Sequence, residues 1–149
     1  MKLVITTPTA VAVDLDGVIS VRAEDETGSF GVLRGHADFL TALEDSVVTW
    51  RQGDGARRYC AVRGGVLSVS GGERIAIATR EAVPGEDLEQ LETDVLARFR
   101  RADEEEAAAR IASERLHLAA IRRIFGYLRP DRGGTGFEPP VLPPRGAGR

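Results

Sequence analysis

The sequence predicts a β-sandwich or barrel followed by a C-terminal pair of helices, and three observations predict it. From Lys2 to Thr79 short β-branched runs are separated by turn residues about every ten positions, with no helical periodicity between them. Pro84-Gly85 then punctuates the chain. Beyond it the apolar residues recur at helical spacing, first Leu88, Leu91, Val95 and Phe99, then Ile111, Leu118, Ile121, Phe125 and Leu128.

Taken in order, the expected strands are Leu3 to Thr6, Ala10 to Asp14, Val18 to Ala23, Phe30 to Leu33, Asp38 to Leu43, Val47 to Gln52, Arg57 to Val62, Val66 to Ser70 and Arg74 to Thr79. Val11, Val13 and Leu15 alternate with Ala12 and Asp14, and Leu67 and Val69 with Ser68 and Ser70, so one face is buried and the other wet. At Gly71-Gly72 a two-residue loop would set Val69 opposite Arg74. A three-residue loop including Glu73 sets Val69 against Ile75 and Leu67 against Ile77. The second register is preferred, because a slip of one residue turns a whole apolar set outward.

In the helical part, Asp103 is a candidate N-cap with Glu106 reaching back from the third position. That spacing predicts a turn near Arg101 to Asp103 and a second helix ending before Pro130, acids in its first turn and arginines in its last. The joint contains neither Gly nor Pro, so one continuous helix of about 44 residues, about 66 Å long, is the other arrangement allowed. The organisation expected is a β-sandwich over 1–84, an antiparallel helical hairpin over 85–129 and a disordered tail over 130–149. After Leu128 the chain has five prolines and five glycines in twenty-one residues and scarcely any apolar pattern.

Composition narrows the function. The 149 residues suffice for one domain with an appendage or two small units, and 42% hydrophobic residues can supply a core. With 5% aromatics that core is built from Val, Leu, Ile and Ala. A net charge of -3 offers no footprint for nucleic acid. All cations but Lys2 are arginine, a bias without functional content. Cys60 is the single cysteine, so no internal disulfide forms, and in an apolar strand it reads as core filling. No apolar run approaches the ~20 residues of a membrane span, and no signal pattern opens the chain, so a cytosolic protein is expected.

Two histidines and one acidic pair are the candidates for chemistry. His117 has no His or Cys three or four residues away, which argues against a metal site, and His36 has no nucleophile pattern beside it. Val11 to Val18, with Asp14 and Asp16, looks like the opening motif of haloacid-dehalogenase-type phosphohydrolases, in which one aspartate attacks phosphorus and magnesium spans the site. Against it, no lysine follows Lys2 and no helix separates this strand from the next several. Asp16-Gly17 also reads as the turn of a β-hairpin, with no chemistry.

Gly28 to Leu40 packs three glycines and a histidine between two apolar strands, and Gly64-Gly65-Val66-Leu67-Ser68-Val69 follows. Together they resemble the epsilon subunit of F-type rotary ATP synthases, whose motif runs small residue, apolar, Gly, apolar, Leu, Pro, Gly, His, then Gly-Gly and a strand. Arg34 stands where that motif has proline, which loosens the backbone there. The resemblance covers about Lys2 to Leu128. It implies a ten-stranded β-sandwich followed by a helical hairpin, in a non-catalytic central-stalk subunit that couples rotation of the c-ring to the gamma subunit. It also implies a peripheral place on the cytoplasmic side of the bacterial inner membrane, and no cofactor or metal.

The resemblance assigns residues as well. Glu26, Thr27, Gly28, Ser29 and Phe30 match the loop that touches the c-ring, with Ser29 where many relatives carry an acid. Gly31, Leu33, Gly35 and His36 form the signature corner, which is not catalytic. Arg115, Arg122 and Arg129 repeat every seven residues, and Arg110 and Arg123 lie on other faces. These read either as a solvated helix face or, by resemblance, as inhibitory-helix cations turned toward acidic segments of the alpha/beta hexamer. Some relatives bind ATP through Ile or Leu, Asp, two residues, Arg, Ala. The matching positions are Leu88, Glu89, Glu92 and Thr93, where a carboxylate replaces the phosphate-binding arginine, so no nucleotide binding is expected.

Overall fold

The structure is a computed structural model that describes residues 1–128. Arg129 and the tail expected at 130–149 lie outside the described residues. The chain divides into two units, Met1–Ala108 and the residues from Ala109 on.

Ten strands fill most of the first unit: β1 Lys2–Thr6, β2 Val11–Leu15, β3 Val18–Asp25, β4 Gly28–Leu33, β5 Phe39–Leu43, β6 Ser46–Gln52, β7 Arg57–Val62, β8 Gly65–Ser70, β9 Arg74–Ala78 and β10 Ala82–Gly85. They form one hydrogen-bonded sheet in the order β10-β7-β6-β3-β5-β8-β9-β1-β2, with β4 added on β3. Every pairing is antiparallel except β1 with β9. The sheet turns over where β3 and β5 share the single pair Asp25 and Leu43. One apolar core lies between its halves, with Leu3, Ile5, Leu67, Ile75 and Ile77 meeting Val18, Val21, Val48, Trp50 and Cys60.

The expected β8–β9 register is present, Val69 against Ile75 and Leu67 against Ile77. Asp16-Gly17 is a turn but not a hairpin turn. β2 before it pairs with β1, and β3 after it pairs with β4 and β6, so the chain there leaves one set of partners for another. Ala82–Gly85 is a tenth strand, paired along β7, which the residues alone had hidden behind Pro84-Gly85. The proline is tolerated because β10 ends the sheet.

The helical segment opens on Asp87, whose carboxylate accepts from the backbone N–H groups of Glu89 and Gln90 at 2.9 and 3.3 Å. A single turn, α1 (Leu88–Gln90), a π turn (Leu91–Val95) and α2 (Leu96–Leu128) follow without a gap. Leu91 and Phe99 are buried against Ala61, with Val47, Tyr59 and Val83 packed alongside, so the first turns lie on the outer face of β6, β7 and β10. Burying a side chain the size of Phe99 contributes about 1.5–3 kcal/mol.

The antiparallel hairpin expected over 85–129 is therefore not the arrangement seen; α2 runs straight through Arg101 to Asp103. The capping box at Asp103 and Glu106 does not form, because both carboxylates are engaged by arginines distant in sequence. Arg63, whose side chain is 10% exposed, donates to Asp103 from Nη2 at 2.6 Å and Nε at 3.0 Å and to Glu106 at 2.7 Å. Arg80 adds contacts of 3.2 Å to Asp103 and 3.6 Å to Glu106. With its cap engaged elsewhere, and with Ala, Arg and Glu filling residues 100–110, nothing local ends the helix.

In the second unit Ile111, Leu116, Leu118, Ile124, Phe125, Tyr127 and Leu128 are all exposed. No described helix is long and apolar enough to cross a membrane.

Candidate functional site

The β3–β4 and β4–β5 turns, at opposite ends of β4, carry most of the sequence-predicted residues. Glu26 and Thr27 form the exposed tip of the first turn. It is held from below by Asp25, whose Oδ1 accepts from the Thr27 N–H at 2.9 Å and hydroxyl at 2.6 Å. Asp25 Oδ2 accepts from the Thr41 hydroxyl on β5 at 2.8 Å. The Thr27 hydroxyl first, then that of Thr41, holds the Asp25 carboxyl below its usual range. Gly28 follows at φ +120°, a conformation closed to L side chains. Ser29 accepts from Arg22 Nε across the strand pair at 2.8 Å. Phe30 turns inward, edge-on to Phe39 with centroids 5.6 Å apart.

The second turn carries Gly35 and His36. Gly35 donates its N–H to the Gly72 carbonyl at 2.8 Å, and a Cβ added to Gly72 would stand 2.9 Å from Gly35 Cα. Two glycine turns, from β4–β5 and β8–β9, therefore touch backbone to backbone. Asp38 accepts from the Gly71 N–H at 2.8 Å and Arg34 pairs with Glu73 at 3.3 Å, fastening the same two turns on either side. His36 is half-buried, edge-on to Phe39 at 5.9 Å, with Nδ1 2.8 Å from the Ala37 carbonyl. A carbonyl only accepts, so Nδ1 carries the proton. Gly31 and Leu33 belong to β4, with Leu33 61% exposed.

The other candidates fall elsewhere. Asp14 and Asp16 flank Lys2 at 3.0 and 4.0 Å on the surface, and Asp14, with Asp16 behind it, raises the lysine. Asp14 sits on β2, paired antiparallel with β1, and Asp16 just beyond it, without the parallel strands and crossover helices of the phosphohydrolase fold that the motif suggested. Among the described residues no cluster of His, Cys, Asp or Glu could hold a metal ion. Arg110, Arg115, Arg122 and Arg123 are exposed and, among the described residues, in no ion pair. Leu88 and Glu92 line an open cleft of about 760 Å³ with Arg22, Arg51, Arg57 and Tyr59, while Glu89 and Thr93 are exposed. Cys60 fills the core, and burial pushes its thiol up to about 11.

Sequence reasoning missed Asp25 and Thr41, which brace the first turn, and Asp38 and Gly72, which fasten the second. The Asp25-Glu26-Thr27-Gly28 string did carry a signal, an aspartate positioned to accept from the backbone two residues on.

The comparisons with known proteins agree with one another. A family model described as the ATP synthase delta/epsilon chain β-sandwich domain matches residues 1–85. The chain is 43% identical over 133 residues to "ATP synthase epsilon chain 2" of Paraburkholderia xenovorans, covering 89% of this chain and 96% of that one. It is 44% identical to the protein of the same name from Cereibacter sphaeroides, covering 86% and 88%. Among solved structures, a chain of the Euglena gracilis mitochondrial ATP synthase superposes with a TM-score of 0.55 at 24% identity, covering 71% of this chain and 62% of that one. That likeness speaks for the fold alone.

Proposed function

Because the chain belongs to the ATP synthase delta/epsilon family, as a non-catalytic epsilon subunit of an F-type ATP synthase, we propose that it works in the central stalk, coupling c-ring rotation to the gamma subunit. The Glu26–Phe30 turn meets the polar loops of the c-ring, and the opposite half of the sandwich meets gamma. The observation that carries the loop assignment is the bracing of the exposed Glu26-Thr27 tip by Asp25, which accepts from Thr27 and from Thr41 on β5. A contact that transmits torque must not yield, and this tip is tied through Asp25 to β5 as well as to its own strands β3 and β4. The protein is peripheral, on the cytoplasmic side of the bacterial inner membrane. It takes no nucleotide, since Glu92 presents a carboxylate where an arginine would meet phosphate.

The helical segment has a second task in this reading. Arg110, Arg115, Arg122 and Arg123 are exposed and free to meet acidic segments of the alpha/beta hexamer, restraining ATP hydrolysis. The antiparallel hairpin is the segment's other arrangement, in which its apolar repeat finds cover.

Affinity purification of the tagged chain from its host tests the proposal. Alpha, beta and gamma are expected to co-purify, and Glu26→Cys is expected to crosslink to a cysteine in the c-ring loop. Co-purification with no crosslink from any residue of 26–30 overturns the loop assignment.

A further inference from the structure

We propose that the seam where β2 meets β10 is a binding site for a small apolar carboxylic acid, taken as its carboxylate and held jointly by the Trp50 indole N–H and the Arg58 guanidinium. The inference concerns the sandwich alone and stands apart from the central-stalk reading.

β10 and β2 are the two ends of the strand order, so the sheet leaves one edge of each unpaired. These strands close on each other to within 8 Å, Cα to Cα. A strand inserted between two others needs twice the inter-strand spacing, about 9.5 Å. The seam therefore excludes an added strand. It does hold a pocket of about 370 Å³, lined by Val13, Leu15, Trp50, Arg58 and Pro84 among others, a size suited to a small molecule.

The polar groups on its inner wall are donors. Trp50 is 3% exposed, yet among the described residues its indole N–H meets no acceptor. A buried donor left unmatched destabilises the fold, and an oxygen brought by a ligand relieves it. Arg58 stands directly opposite Trp50 in the β6–β7 register, so the two side chains rise from one face, about 5 Å apart at Cβ. That face is the inner one, for Cys60, two residues further along β7, is wholly buried. Arg58 gives its Nε to the Gln52 side-chain oxygen at 2.8 Å, and among the described residues its guanidinium is in no ion pair. One donor is deep and one is at the mouth, and a single carboxylate supplies an oxygen to each. Val13, Leu15 and Pro84 add no polar side chain to the wall, which calls for an apolar body. Of the acids at the mouth, Asp14 is engaged by Lys2 at 3.0 Å, and Glu86 is exposed, where water and salt screen its charge.

Trp50 is the single tryptophan, so its indole N–H gives one resonance in a nitrogen–proton correlation spectrum of the isotope-labelled full chain. Phenylacetate is the probe, with acetate, which lacks the apolar body, and phenylacetamide, which lacks the charge, as controls. Phenylacetate is expected to move the indole proton downfield and to saturate, while the resonances of the Glu26–Phe30 turn stay in place. Phenylacetamide in place of the acid, and Arg58→Gln in place of wild type, are each expected to weaken binding about tenfold. Acetate is expected to leave the indole unmoved. Arg58 is exposed, so its substitution leaves the sandwich folded, which the rest of the spectrum checks. An indole shift that never saturates, or none at all, overturns the site. Equal affinity for acid and amide, or for wild type and Arg58→Gln, overturns the assignment of a carboxylate. Acetate acting as phenylacetate does overturns the pocket and reduces the effect to an exposed arginine meeting an anion.

Discussion

The helical segment carries the same apolar repeat twice, and the two copies have opposite fates. Leu91 and Phe99 are 4% and 0% exposed, whereas Ile111, Leu118 and Phe125 are 52%, 54% and 65% exposed. Periodicity is equal in both stretches, so it does not decide burial. What differs is the company: the first stretch meets Ala61, Tyr59 and Val83 on the sheet and is gripped by Arg63 and Arg80, and the second, among the described residues, stands exposed. An amphipathic stripe states which face would be buried, and the partner surface states whether it is.

The largest effect that would test this contrast comes from truncating one phenylalanine in each copy. Phe99→Ala is expected to cost about 3–5 kcal/mol in denaturant unfolding of the isolated subunit, as removal of a fully enclosed ring does. Phe125→Ala is expected to stay within about 0.5 kcal/mol, as a surface change does. Equal losses would erase the distinction between the copies.

A smaller effect follows from acid. Asp25 titrates below its ordinary value of 3.8 because the folded turn donates to its carboxylate. Its folded value lies under its unfolded one, so its contribution to stability is fully present above the ordinary value and is lost as pH falls through the lowered one. Asp25→Asn is expected to flatten the acid limb of a thermal-stability profile below about pH 4. Arg115→Gln, in the exposed copy, should leave that limb unchanged, and an identical response from both variants would count against the bracing of the turn.

The smallest perturbation reads exposure directly. With its thiol pushed up to about 11, Cys60 is expected to resist a thiol reagent at pH 8 until the protein unfolds. A cysteine introduced at Leu118 should react without delay. Prompt reaction at Cys60 would contradict its enclosure.

Much of the fold was legible because the sandwich strands alternate cleanly. Leu67, Val69, Ile75 and Ile77 fixed a register from sequence alone, since any slip would have turned all four outward. β10 was not legible, because Ala82, Pro84 and Gly85 carry no strand signal and the segment is a strand only by virtue of β7 beside it. Asp16-Gly17 announced a turn but not which strands would pair on either side. Asp103 and Glu106 illustrate the same limit most sharply, for their local spacing fits a cap and their observed partners, Arg63 and Arg80, lie far back in the chain. At the corner the glycines and His36 were visible as a motif. The mutual fit of Gly35 and Gly72 was not, because closeness across two turns leaves no trace in either one.

The π turn at Leu91–Val95 sets the angular phase of everything after it. Eight α-helical steps from Leu91 to Phe99 would leave their side chains about 80° apart, at 100° per residue. One residue absorbed by the wider turn brings them to within about 20° of each other. Asp103 and Glu106 inherit that correction, being about 40° and 20° from Phe99 around the axis. Deleting a single residue inside 91–95 would leave seven ordinary α-helical steps across the segment, about 20° short of two full turns, so the wide turn would be lost while the downstream side chains kept their direction towards Arg63.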